Sequence, residues 1–127
     1  MTESSQKALV ERFIAAYNTF DIDRMVALVS TDIRFENHSG DELTAATNGI
    51  DDFRKIAEQS KLLFSEREQR ISSIRFDHGM AIVTIDYRGR FAQDIPNGPR
   101  AGEIVALSGT SEYSFREGRI CKIIDRS

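Results

Sequence analysis

The sequence predicts a single α+β domain over residues 1–127, with three helices on a curled, mostly antiparallel sheet, in the order ααβαββββ. Apolar residues recur at helical spacing up to about residue 65 and alternate with polar residues beyond it. Three turn signals divide that later part into strands: Asp77-His78-Gly79, the Pro/Gly segment 94–99 and Arg116-Glu117-Gly118. Because a chain of 127 residues builds one hydrophobic core, we expect no second domain.

Three helices are predicted before residue 65. The first, over residues 4–19, rests on apolar residues spaced three or four apart: Leu9, Phe13, Ala16, Tyr17 and Phe20. The second, over residues 22–29, follows Asp21, a residue type that caps helices well. The third, over residues 48–64, follows a polar connection, with Thr47 or Asn48 as its cap and two aspartates in its first turn.

Five strands are predicted, starting near residues Asp32, Glu66, Met80, Gly102 and Arg119. In the first strand Ile33, Phe35 and Asn37 share one face, so the buried face ends in a polar amide. In the strands from Met80 and from Gly102 the odd-numbered residues face the core, and the even-numbered ones are mostly polar. Hairpins join these strands, so the helices must cover the apolar face of the sheet.

Composition excludes several classes of partner. The net charge is −3 with both signs mixed along the chain, which gives no basic surface for nucleic acid. No apolar run approaches the ~20 residues of a membrane span, and no secretory signal opens the chain. With Cys121 as the single cysteine, we expect a cytoplasmic protein.

Metal and phosphate sites are not expected either. Two histidines and one cysteine stand at unrelated positions, without the spacing of metal ligands. The glycines at 98 and 102 lack the Lys-Ser/Thr pair and the following helix of a phosphate loop. We therefore expect no metal and no cofactor.

Four short segments resemble one known superfamily, and the predicted order of elements resembles it over the whole chain. The segments are residues 10–18 (VERFIAAYN), 21–23 (DID), 86–90 (DYRGR) and 117–120 (EGRI). They are similar to the nuclear transport factor 2-like superfamily, in particular its ketosteroid isomerases and polyketide cyclase-like (SnoaL-like) members. The resemblance implies a cone around an apolar pocket, often in a dimer, that serves as an isomerase, dehydratase, cyclase, hydrolase or binding module.

The ketosteroid isomerase mechanism does not transfer to this chain. That enzyme uses an Asp base with a Tyr and a protonated Asp as oxyanion donors. The matching positions hold Phe13 for the Tyr, Asn37 for the base and Ser111 for the second Asp. Phenylalanine cannot donate a hydrogen bond, a neutral amide is not a base and serine is only a weak substitute donor, so we reject ketosteroid isomerization by that mechanism.

Asp125 is the candidate catalytic residue. The last strand is apolar on both faces, so its periodicity does not choose the inward side, and the resemblance implies that Ile123 and Asp125 point inward. Burial there would raise the pKa of Asp125 toward neutrality. Two structural alternatives remain open at this point: fraying near the end of the chain, and a surface ion pair with Arg126.

The expected cavity combines apolar walls with a few polar groups. The candidate substrate-binding residues are Phe13, Tyr17, Asn37, Phe53, Val83, Tyr87, Ser111 and Tyr113. The remaining expected wall residues are Phe35, Ile85, Val105, Leu107 and Ile123. His38 is one residue out of phase with the buried face, so we expect it to be exposed unless a bulge rotates it inward.

Three hypotheses for the function follow. The first is a pocket protein for a small, largely apolar organic molecule, with Asp125 performing acid or base chemistry. The second is a non-catalytic binding module with the same pocket. The third is a dimerization or partner-docking domain that makes its contact through the polar face of the sheet and whose pocket is vestigial, filled by side chains. For all three we expect a homodimer through the outer sheet face, which carries Thr84, Asp86, Arg88, Thr110, Glu112 and Lys122.

Overall fold

A computed structural model describes residues 1–127 and confirms the α+β class, with three helices and a curled sheet. The helices are α1 (Glu3–Asn18), α2 (Ile22–Ala27) and α3 (Ile50–Leu63). The strands are β1 (Val29–Ser39), β2 (Glu42–Asn48), β3 (Phe64–Asp77), β4 (Met80–Phe91), β5 (Ile104–Arg116) and β6 (Arg119–Arg126). None of the three helices has the length and apolar character of a membrane span.

The sheet has six strands in the spatial order β2-β1-β6-β5-β4-β3. β1 and β6 are parallel neighbours, and every other pair is antiparallel. The register places Asn37 of β1 opposite Asp125 of β6, which is in turn opposite Ser111 of β5. Three of the predicted polar pocket groups therefore lie side by side across three adjacent strands.

The hydrophobic core lies between the helices and the inner face of the sheet. Val10 of α1, Ile33 of β1 and Ile120 of β6 are completely buried there. Asp21 caps α2 as predicted, because its side chain accepts a hydrogen bond from the backbone N–H of Arg24 at 3.1 Å. Burial of these core side chains holds the helices against the sheet, and the cavity lies at one end of this core.

Two local predictions are wrong. The polar connection before α3 is the edge strand β2, which pairs antiparallel with β1. Neither Thr47 nor Asn48 caps α3, since both belong to β2 and the cap position is Gly49, whose φ of 88° suits glycine. An edge strand with one neighbour and no buried residue lacks the alternation that reveals a strand in a sequence.

Candidate functional site

A cavity with two lobes opens between the helices and the sheet. The sheet lobe, about 420 Å³, is lined mainly by β3, β4 and β5, including Phe64, Ile85, Phe91, Val105 and Leu107. The helix lobe, about 300 Å³, is lined mainly by α1, α3, β1 and the far parts of β5 and β6, including Phe13, Phe35, Phe53, Tyr113 and Ile123. Four residues line both lobes and define the junction: Tyr17, Asn37, Gln69 and Asp125.

Asp125 points inward and is held by its neighbour on β5. The hydroxyl of Ser111 donates a hydrogen bond to Oδ1 of Asp125 at 2.7 Å. The chain end does not fray, because the N–H of Ser127 donates to the carbonyl oxygen of His38 and the carbonyl oxygen of Ser127 accepts from Gly40. Arg126 binds Glu112 on the other face, so the alternative ion pair with Asp125 does not form.

The surroundings of Asp125 shift its acidity. The side chain is half-buried in the wall of the cavity, and the loss of hydration there raises its pKa from 3.8 to about 6. The hydrogen bond from Ser111 acts in the opposite direction, because it stabilises the ionised carboxylate. Burial prevails, and the acid is divided between its two protonation states close to neutral pH.

A pair of tyrosine hydroxyls lies at the junction beside this acid. The oxygen atoms of Tyr17 on α1 and Tyr87 on β4 are 3.0 Å apart, a hydrogen-bond distance. Burial raises the pKa of both phenols, and the nearby charge of Asp125 raises that of Tyr17 further. Both hydroxyls therefore stay protonated, and one proton of the pair can be donated to a ligand.

Arg67 of β3 supports Tyr17 from behind. Its guanidinium carbon is 3.7 Å from the centroid of the Tyr17 ring and 4.4 Å from that of Phe20, which is cation–π geometry. Its Nε donates to the carbonyl oxygen of Tyr17 at 3.0 Å, while Nη1 and Nη2 are buried without partners. Desolvation lowers the pKa of Arg67, and the cation in turn opposes the rise in the pKa of Tyr17.

The two amides at the junction differ in their bonding. Asn37 donates through Nδ2 to the hydroxyl of Thr44 at 2.7 Å, and Thr44 donates back to the carbonyl oxygen of Asn37. Gln69 has a buried side-chain oxygen, Oε1, without any hydrogen-bond donor. His38 follows a register shift in β1 but lines neither lobe, and its half-buried ring lies 2.8 Å from Glu36.

The structure distributes the candidate residues as follows. Phe13, Phe53 and Tyr113 line the helix lobe, Tyr87 and Ser111 line the sheet lobe, and the junction holds Tyr17, Asn37 and Asp125. Val83 was predicted to line the cavity, but it lines neither lobe. Its side chain points inward as expected and is completely buried in the packed core. The alternation along a strand therefore predicts which residues are buried, but it does not predict whether a buried residue lies in the packed core or lines the cavity.

Sequence analysis missed Arg67 and Gln69. Both lie in the charged and polar run from Ser65 to Arg70, which favours a solvent-exposed strand. The alternation along β3 is the signal that could have identified them. Positions 67, 69 and 71 share one face of the strand, and the isoleucine at position 71 indicates that this face is buried. No group of three or more His, Cys, Asp or Glu side chains is placed to hold a metal ion.

Solved structures with this arrangement share the fold at low sequence identity. A proposed polyketide cyclase from Xanthomonas campestris pv. campestris matches with a TM-score of 0.85 and 16% identity over 98% of this chain and 90% of its own. A proposed hydroxylase from Streptomyces galilaeus matches with a TM-score of 0.77 and 20% identity over 98% and 89%. A protein of ketosteroid isomerase-like fold from Catenulispora acidiphila, solved with trimethylamine, matches with a TM-score of 0.75 and 14% identity over 92% and 82%.

The family assignment comes from the sequence itself. The model of the SnoaL-like domain matches residues 10–123, which include Tyr17, Tyr87 and all but the last three residues of β6. This agrees with the resemblance seen in the four short segments and with the ketosteroid isomerase-like fold of the structural neighbours. The chain therefore belongs to the SnoaL-like domain family.

Proposed function

We propose that this protein binds a small, largely apolar organic molecule in the two-lobed cavity and catalyses a proton transfer on it, with Asp125 as acid and base. One observation carries the proposal: Asp125 is the only acidic residue that lines either lobe, and it lines both. A ligand in either lobe is therefore next to the same carboxyl group. Its pKa of about 6 suits a group that must both take and give a proton near neutrality.

The chemistry that fits this site is removal of a proton from a carbon next to a ligand carbonyl. Ionised Asp125 takes the proton, and the electron pair of the broken C–H bond shifts so that negative charge develops on the carbonyl oxygen. Protonated Asp125 then returns the proton to a different atom of the same molecule. Atoms and charge balance without an added reactant, and the product is an isomer.

The tyrosine pair supplies the complementary charge stabilisation. The hydroxyls of Tyr17 and Tyr87 share one hydrogen bond, which leaves a second proton free to bind the developing oxyanion. Arg67 is stacked on Tyr17 and adds a buried positive charge behind the donor. We infer that Arg67 acts through Tyr17 as a positioning residue, since it lines neither lobe of the cavity.

The test begins with a thermal-shift screen of steroids, polyketides, terpenoids and aromatic acids, in which a stabilised hit identifies a ligand class. Hits that carry a carbonyl are then incubated in D₂O with the protein, and exchange of the neighbouring C–H for C–D is followed by NMR. The rate should rise with pH as Asp125 ionises around its pKa of about 6. Asp125→Asn should slow the exchange by ~100-fold or more.

The chain offers a matched control for this variant. Asp86 on the outer face also accepts a hydrogen bond from a serine of β5, Ser108, at 3.1 Å, but it is exposed and lines neither lobe. Asp86→Asn should leave exchange within about twofold of wild type. If Asp125→Asn keeps the rate within about threefold, the assignment of Asp125 is wrong.

A non-catalytic binding module is the second candidate. Its support is that three of the four junction residues, Tyr17, Asn37 and Gln69, are neutral polar groups suited to orienting a ligand without reacting with it. Binding without exchange in the wild-type protein would favour it over the enzyme. The docking-domain hypothesis required a filled pocket, and the open lobes of about 420 and 300 Å³ count against it.

We also propose that the protein is a homodimer joined through the outer face of the sheet. Ile104, on the outer phase of β5, is 47% exposed, and Ala106 beside it is also exposed. The same face mixes Asp86, Arg88 and Glu112, which suits a self-complementary two-fold contact. Light scattering at micromolar concentration should give twice the 14.4 kDa chain mass, and the monomer mass would contradict the proposal.

A further inference from the structure

We infer that Gln69 is a specificity-determining residue whose side-chain amide accepts a hydrogen bond from a hydroxyl group located between two apolar parts of the ligand. The inference rests on the proposed function in one respect, since it requires that the cavity accepts an apolar molecule. It adds the position and the kind of the polar group that this molecule carries. Gln69 lines both lobes, and so its amide lies where they meet.

The backbone of Gln69 is fixed from two sides. Its N–H donates to Oδ1 of Asn18 at 2.7 Å, and Nδ2 of Asn18 donates back to its carbonyl oxygen at 3.0 Å. Across the sheet Gln69 pairs with Tyr87 of β4. A side chain whose backbone is locked to α1 on one side and to β4 on the other is positioned by rigid elements.

The side chain of Gln69, in contrast, lacks a hydrogen bond that a buried amide oxygen normally accepts. Oε1 is buried and has no donor, whereas buried polar atoms in folded proteins are nearly always paired. None of the other junction side chains donates to it: the hydroxyl of Tyr17 bonds that of Tyr87, and the amide of Asn37 donates to Thr44. The last torsion of a glutamine is soft, so Oε1 is able to reorient toward a ligand at the junction.

A ligand hydroxyl is the group that satisfies this acceptor. A hydrocarbon at the junction would leave Oε1 unpaired, and a carboxylate would place two acceptors against each other beside Asp125. Apolar side chains line both sides of the junction: ten of the 14 residues of the helix lobe and seven of the 15 residues of the sheet lobe are hydrophobic. The ligand class is therefore an alcohol or phenol with apolar groups on both sides of its hydroxyl.

The test uses two probes that differ in one hydroxyl: diphenylmethanol, with its hydroxyl between two phenyl rings, and diphenylmethane. Dissociation constants of both are measured for the wild type, for Gln69→Met and for the control Gln93→Met. Gln93 is exposed and its amide donates to the carbonyl oxygen of Leu62, away from the cavity. Comparing the ratio of the two constants between variants removes the difference in hydrophobicity between the probes.

We expect Gln69→Met to shift this ratio by about fivefold against the alcohol, the size of one net hydrogen bond, and Gln93→Met to leave it within twofold. An unchanged ratio in Gln69→Met overturns the role of Gln69 while leaving the proposed cavity function intact. If the wild type binds neither probe, the proposed function fails as well, and the two failures are thereby distinguished.

A measurement on the wild type covers the case in which Gln69→Met does not fold. With ¹⁵N-glutamine labelling, the side-chain amide signal of Gln69 should shift on addition of diphenylmethanol and move far less with diphenylmethane. The signal of Gln93 should stay in place with both probes. Equal shifts of the Gln69 signal with the two probes contradict the inferred hydrogen bond.

Discussion

The two faces of the sheet carry the same pair of groups in two different settings. On the inner face Ser111 donates to Asp125 at 2.7 Å, and on the outer face Ser108 donates to Asp86 at 3.1 Å. Both pairs join β5 to a neighbouring strand. Asp125 is half-buried, and its pKa is raised to about 6, whereas Asp86 is exposed to water. The location of the carboxylate, and not its hydrogen-bond partner, therefore decides whether it is a candidate for proton transfer.

Apolar truncation should show the largest difference between the two faces. Ile33 of β1 is completely buried on the inner face, while Ile104 of β5 is 47% exposed on the outer face. We expect Ile33→Ala to lower the free energy of unfolding by about 2–5 kcal/mol, because it leaves a cavity in the core. Ile104→Ala should cost less than about 1 kcal/mol in the monomer. Urea unfolding of both variants measures the two values, and similar costs would contradict the assignment of the faces.

Neutralising Asp125 should stabilise the protein, whereas neutralising Asp86 should have almost no effect. The raised pKa of Asp125 means that its proton binds the native state more tightly than the unfolded one, so its contribution to stability falls as pH rises from 3.8 to about 6. At pH 7, Asp125→Asn should therefore raise the free energy of unfolding, by about 1–3 kcal/mol. Asp86→Asn should change it by less than about 0.5 kcal/mol.

The pH dependence provides the check on this prediction. As pH falls from 6 through 3.8, Asp125 becomes protonated in the folded and then also in the unfolded state, so wild type and Asp125→Asn should approach each other in stability toward pH 4. Unfolding of the two proteins is compared from pH 4 to pH 7. A difference that stays constant over this range would show that the carboxylate is not desolvated.

Removing the hydroxyl of Ser111, which donates to Asp125, should have the smallest effect. The hydroxyl of Ser111 lowers the pKa of Asp125 against the dominant effect of burial, so Ser111→Ala should move that pKa further up. NMR titration of the Asp125 carboxyl carbon measures the shift. The cost in stability should be about 1 kcal/mol, typical of one hydrogen bond. A fall in the pKa of Asp125 would show that this hydrogen bond does not stabilise the ionised form.

Much of the fold could be predicted because its elements are strongly periodic. The apolar stripe of α1 and the alternation in β4 and β5 gave their positions to within about two residues. The edge strand β2 could not be predicted, since a strand with a single neighbour needs little apolar patterning. The parallel pairing of β1 with β6 depends on contacts between distant parts of the chain, which local periodicity does not encode.

The candidate site divides in the same way. The inward position of Asn37 could be predicted from the alternation along its strand, and the inward position of Asp125 from the family resemblance. Gln69 and Arg67 were missed because their charged and polar neighbours favour an exposed strand. They are withdrawn from water because α1 packs against β3 there, through the bonds of Asn18 to Gln69 and of Arg67 to Tyr17. Tertiary packing of this kind overrides local composition.

The pairing of β1 with β6 also sets how the molecule reaches its native state. Val29 and Ile120 become partners across about ninety residues of intervening chain, so this contact closes a very large loop. The hairpins that link β3, β4 and β5 close far shorter loops and can form first. Substitutions in those hairpins should mainly slow refolding, whereas substitutions in β1 should mainly accelerate unfolding. Asp125 and Asn37 would then meet only in the last step of folding.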